Sequence, residues 1–183
     1  MSKNTIEIQT AIITAGASVL IALAVWILGR SRDRRNLTLE LHRQYYLPEM
    51  GKARLNAAKF ITANCHVDWN TIDPYKLLGE ESWKDGYSEV VRYFHKVGAL
   101  ARENETNLPL MRRLLAREYG FWYSFLFQPM AGRVDWWTKE TILGLVNVFD
   151  KAGGKSDYSN GVENGRERRA KARAHLIVTA KTL

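Results

Sequence analysis

With one cysteine, Cys65, in 183 residues, the chain cannot close an intrachain disulfide. Its stability has to come from packing. The four histidines, His42, His66, His95 and His175, stand alone without metal-ligand spacing, and ordinary polar or half-buried roles are expected for His66 and His95. The sequence also lacks a glycine-rich phosphate loop, an HExxH helix and a GxSxG turn. Those absences remove the usual grounds for a nucleotide cofactor, a catalytic zinc or a serine nucleophile. No cofactor, metal or small-molecule substrate is therefore expected. No stretch alternates apolar and polar residues, so no strand is expected and the fold class reads as all-α. Acidic side chains are scarce beside basic ones, 19 against 27, for a net charge of +8. That balance allows anionic lipid or nucleic acid as a partner.

What is present begins with a charge-free run of 22 positions, Ile8 to Gly29, bounded by Glu7 and Arg30. At 1.5 Å per residue such a run crosses a hydrocarbon core of about 30 Å. It is apolar all round, unlike a surface helix of a soluble domain. Trp26 lies near its end, where an indole can sit at headgroup level. Arg30, Arg32, Arg34 and Arg35 follow at once, against only Lys3 before the run. A cleavable leader would carry its charge in front and a shorter apolar core. Residues 8–29 are thus expected to be a single transmembrane helix, with the C-terminal bulk cytoplasmic. Ala11, Ala15, Ser18, Ala22 and Gly29 fall within an arc of roughly 60° around that helix. Small residues let membrane helices approach closely, so this face is a candidate for homo-oligomer formation.

Beyond the arginines, Leu37, Leu41 and Tyr45 keep four-residue spacing, and the membrane helix is expected to run on until Pro48 stops it near Leu47. Residues 30–152 then read as a cytoplasmic helical bundle. A second helix starts at Pro48, carries Ala53, Ala57 and Ile61, and ends near Asn64. A loop holding Trp69, Pro74 and Gly79 follows. A third helix starts near Asp85 or Ser88 with Val90, Phe94, Val97 and Ala101 on one face. Asn107 can cap a fourth, with Pro109 in its first turn and Gln128-Pro129 at its close. Thr138 can cap a fifth that ends at Gly153-Gly154. Residues 153–165, rich in Gly, Ser, Asn and Asp, are expected to be a flexible loop, and 166–183 a basic C-terminal helix. Trp122 and Phe125 read as core. Trp136-Trp137 cannot both face one core, so one indole is expected to meet a partner subunit or the membrane surface.

One pattern has a catalytic reading. Arg169 and His175 are separated by five residues, and Arg168 and His175 by six. Near the start of a helix, a histidine can move protons while an arginine stabilises charge developing on a phosphate. This spacing resembles the R-x(4–6)-H signature of HEPN ribonucleases, although Ala170 stands where those motifs commonly carry Asn, Asp or His. Arg35, followed by Asn36 and then His42, fits the letter better but adjoins the apolar run.

An N-terminal membrane helix, a basic collar, a helical domain and a degenerate Arg–His pair together resemble the small membrane accessory proteins of type VI-B CRISPR systems. The segment VVRYFHKVGALARENETNLPLMRRLLAREYGFWYSFLFQPM also resembles a broad group of bacterial single-pass proteins with a helical cytoplasmic domain. The first resemblance implies a bacterial inner-membrane protein in antiviral defence. It implies a homo-oligomeric pore that depolarises the membrane once a partner RNA-guided nuclease is activated. Thr10, Thr14 and Ser18 are the only hydroxyls between Gln9 and Gly29, so such a path would be partly hydrophobic and gated by wetting. Two further readings are a membrane-tethered ribonuclease using Arg169 and His175 on RNA, and a non-catalytic scaffold.

Overall fold

No proline interrupts the chain before Pro48, and a computed structural model has one helix, α1, from Lys3 to Tyr46. Its 44 residues span about 66 Å. The structure describes residues 3–67, 79–130, 140–151 and 155–181, with the side chains of 3–16, 130 and 175–181 outside that description. The expected start of a helix at Thr138 and the Trp69, Pro74 and Trp136-Trp137 positions lie outside it too. Helices α2 (Pro48–Ala63), α3 (Glu81–Arg102), α4 (Leu108–Trp122), α5 (Val146–Phe149) and α6 (Lys155–Lys181) follow. Among the described residues there is no strand. The all-α reading holds.

Pro48 sits in the first turn of α2, where its missing N–H costs nothing. Asn107 caps α4, its side chain accepting from the Leu110 N–H at 3.0 Å. Just before it, Asn104 takes a left-handed φ of 57° and reverses the chain between α3 and α4. Helix α3 begins at Glu81, ahead of the expected Asp85, because Trp83 already packs against the core. The Val90, Phe94, Val97 and Ala101 stripe is buried as its spacing requires. Tyr119 of α4 is the hub, with ring centroids 5.6 Å from Phe94, 4.9 Å from Phe149 and 6.0 Å from Tyr158. Its hydroxyl donates to the Ile142 carbonyl at 2.6 Å.

Two expectations need correction. Residues 155–165 are not a loop: they form the first part of α6, which starts at Lys155. The glycines there are contact surfaces. A Cβ on Gly161 would collide with the Arg117 carbonyl, and one on Gly165 with Ser124 and the Phe121 carbonyl. Their bare Cα atoms let α6 lie directly on α4, the most extensive helix pairing in the fold. The fifth helix is also irregular, with a 3-10 turn at Leu143–Leu145 leading into the single turn of α5. Its apolar positions Ile142, Leu145 and Phe149 are nonetheless buried.

After Trp122 the α4 helix widens into a π-turn, Tyr123–Phe127. Ser124 Oγ donates to the Val162 carbonyl at 2.7 Å, tying the turn to α6. The extra residue in the turn aims Ser124, Phe125, Leu126 and Phe127 all inward.

Helix α1 is buried in the bundle at Thr38, Leu41 and Tyr45, in its last three turns. Thr38 is completely buried and makes two bonds. Its hydroxyl donates to the Arg34 carbonyl at 2.8 Å and accepts from the Asn107 N–H at 2.9 Å. Thr38→Val keeps the volume but strands the Asn107 amide, and is expected to cost about 1–3 kcal/mol in chemical denaturation. A loss no larger than that of an exposed change such as Leu39→Thr would contradict this docking role.

Candidate functional site

The part of α1 that precedes the bundle is where the molecule departs from ordinary globular chemistry. Val19, Leu20, Ile21, Leu23, Val25, Trp26, Ile27 and Leu28 are between 50% and 70% exposed. They point in all directions around the helix, so no rotation against the domain would bury them together. Isolated exposed apolar residues are normal, but a continuous sleeve of this kind marks a surface that something else covers. Ala22 and Gly29 of the small-residue face are exposed as well, and a Cβ on Gly29 would meet nothing within 4 Å.

Whether this sleeve belongs to a membrane-crossing segment turns on its length. Among the described residues no helix is long and apolar enough to cross a membrane. The portion of 8–29 with described side chains is 17–29, about 20 Å of helix. Residues 8–16 continue the same helix backbone, with side chains outside the described residues.

The sleeve ends at the arginines. Arg30 lies over the Trp26 ring, 5.6 Å from its centroid, and pairs loosely with Glu105 at 3.7 Å. Arg32 and Arg35 are exposed, whereas Arg34 is half-buried and its Nε lacks a hydrogen-bond partner. Between this collar and the start of α4 lies a groove of about 680 Å³. Trp26, Arg30, Arg34, Thr106 and Asn107 are among its walls.

Two helical turns past Thr38, a cluster of rings fixes the end of α1. Tyr45 is buried and accepts from the Trp122 indole N–H at 2.9 Å. Arg54 lies 4.2 Å from the centre of the Tyr45 ring. Burial pushes the Tyr45 hydroxyl above its ordinary pKa, against the pull of Arg54. Tyr93 donates to the Leu41 carbonyl at 2.9 Å, and Tyr46 donates to Glu118. Four elements, α1 to α4, meet here and hold the end of α1 against the aromatic core. The sequence spacing aligned Leu41 and Tyr45 along a continuing helix but gave no sign of Arg54 or Trp122 as partners.

The Arg–His pair falls within α6, well past its start at Lys155. Arg169 is half-buried, and its Nη1 donates to the Phe125 carbonyl at 2.9 Å in the π-turn. Burial and the adjacent Arg173 hold its pKa below the ordinary guanidinium value, opposed by Cys65, although the group stays charged. The His175 side chain lies outside the described residues. Arg173 donates to the Cys65 carbonyl at 2.9 Å, joining α6 to the end of α2. Arg168 lies over the Phe125 ring at 5.8 Å. In the second candidate pair, Arg35 is exposed while His42 is half-buried against Tyr46, with centroids 4.8 Å apart. Among the described residues no group of three or more His, Cys, Asp or Glu side chains could hold a metal ion.

The chain matches no protein-family model, no curated protein and no solved structure.

Proposed function

We propose that the protein is a membrane-anchored effector whose α1 is embedded in lipid and whose helical domain stands on the cytoplasmic side. The observation that carries this reading is the apolar sleeve from Val19 to Leu28, open all round and ended by Arg30, Arg32, Arg34 and Arg35. Lipid tails are the covering that suits a helix apolar on every side. The arginine excess after the sleeve favours a cytoplasmic domain, and the resemblance to type VI-B CRISPR accessory proteins implies a bacterial inner membrane as the setting.

The open small-residue face supports assembly of several copies through α1, because lipid offers small side chains less contact than a second helix does. The resemblance to type VI-B CRISPR accessory proteins extends this to a homo-oligomeric pore in antiviral defence, triggered by an RNA-guided nuclease. Rigid docking of α1 at Thr38 and Tyr45 gives the domain a lever on the membrane segment. The ribonuclease alternative is weakened by Arg169, whose guanidinium is engaged by the Phe125 carbonyl.

The test is the particle mass in mild detergent, with liposome ion flux read on the same preparation. Wild type is expected to be a closed oligomer, and Ala22→Leu with Gly29→Leu to dissociate it. Thermal unfolding of the domain should stay the same, since neither position packs against it. A monomeric wild type at working concentration would overturn the assembly.

A further inference from the structure

We infer that the groove between the arginine collar and the start of α4 holds the phosphate of an anionic membrane phospholipid. This rests on the reading that α1 lies in lipid, and adds to it a defined headgroup site.

Three observations converge on the groove. Arg30 and Arg34 both line it, and the Arg34 Nε has no hydrogen-bond partner. Arginine is the side chain best shaped to clamp phosphate oxygens with parallel N–H bonds. The first turn of α4, a helix of 15 residues, forms another wall through Asn107, Leu108 and Pro109. The Asn107 and Leu110 amides are already bonded and Pro109 has none, so this end of α4 favours negative charge through its helix dipole rather than through a row of free N–H groups.

The third observation is independent of both. Thr106 also lines the groove, is 2% exposed, and its hydroxyl has no hydrogen-bond partner. A buried hydroxyl without a partner is costly and calls for an acceptor. A phosphate oxygen would supply one.

The apolar side of the groove decides the source of the phosphate. Trp26 and Ile27 line it and belong to the exposed sleeve. A ligand with its phosphate against Arg34 therefore has an apolar surface beside it for acyl chains. Free phosphate would leave that surface unused. Glu105 borders the adjoining groove instead, with Arg30, Asp33 and Arg34. Those two carboxylates oppose an anion there, which places the headgroup on the Thr106 side. The pair between Arg30 and Glu105 is long and half-exposed, so it competes weakly for the guanidinium.

The experiment uses the full chain in nanodiscs of phosphatidylcholine carrying a minor fraction of phosphatidylglycerol. Incorporation into the discs is scored first, then phosphatidylglycerol retained after transfer to mild detergent is read by native mass spectrometry. Wild type is expected to retain phosphatidylglycerol over phosphatidylcholine. Arg34→Gln and Thr106→Val should each weaken retention about tenfold, the scale of one lost charge-assisted bond. Thr106→Ser should restore it, and Arg35→Gln, in the collar but outside the groove, should change it less than about twofold. Equal loss in Arg35→Gln would reduce the effect to collar charge and overturn the site. Inorganic phosphate bound as tightly in lipid-free detergent would assign the groove to a soluble anion and overturn the lipid. Failure of wild type to enter the discs would overturn the membrane reading itself, whereas entry without retention overturns the headgroup site alone.

Discussion

Leu20→Arg combined with Leu23→Arg is expected to release the protein from membranes while leaving the helical domain folded. Both side chains are in the exposed sleeve, Leu20 at 68% and Leu23 at 50%, so neither supports the core. In water the change is close to neutral for folding. In lipid each arginine near the middle of a membrane helix costs about 2.5–3.5 kcal/mol, and each lost leucine removes a favourable contribution. Two such changes move a membrane–water partition by a factor of about 10⁴–10⁶. Alkaline extraction of cell membranes reads the partition, and thermal unfolding reads the domain. Retention like wild type would count against lipid burial of this segment. Loss of the folded domain would show instead that the sleeve packs within the protein.

The second large effect lies at the other end of the chain. Gly161→Ala is expected to destabilise the domain by about 3 kcal/mol or more, because the added methyl meets the Arg117 carbonyl, a rigid backbone group. Helix α6 can accept it only by lifting from α4, which loosens the Ser124 bond and the buried Tyr158 together. Gly144→Ala is the control: nothing lies within 4 Å of its Cβ position, and its effect should stay within about 1 kcal/mol. Denaturant midpoints separate the two. Equal midpoints would mean that α6 does not rest on α4 through its glycines.

That contrast also explains which parts of the fold the sequence made legible. Val90, Phe94, Val97 and Ala101 announce a helix because apolar side chains recur at three and four. On α6 the same spacing is present in Tyr158, Gly161, Gly165 and Ala172, all buried. It is written in glycine and alanine among Ser, Asn and Glu, and those residues argue for a loop when judged by propensity. Tertiary contact with α4 overrides that preference. The capping of α4 by Asn107 was legible because a cap is local, set by residues three apart. The groove was not. Arg34 and Thr106 lie far apart in sequence, and only the docking of α1 through Thr38 brings them to one surface. Arg169 illustrates the reverse: its spacing to His175 suggested chemistry, while its position four residues after Gly165 puts it on the inner face, bonded to Phe125.

The most direct measurement of the central claim is the depth of α1 in a bilayer. Nitroxide spin labels at Leu20→Cys, Leu23→Cys and Arg35→Cys can be read in liposomes for collisions with oxygen and with a polar nickel chelate. Native Cys65 is wholly buried, and burial raises its thiol pKa, so it stays unlabelled in the folded protein. Labels at 20 and 23 should collide with oxygen and be shielded from nickel, with the pattern reversed at 35. Nickel access at 20 and 23 equal to that at 35 would contradict a membrane-embedded α1.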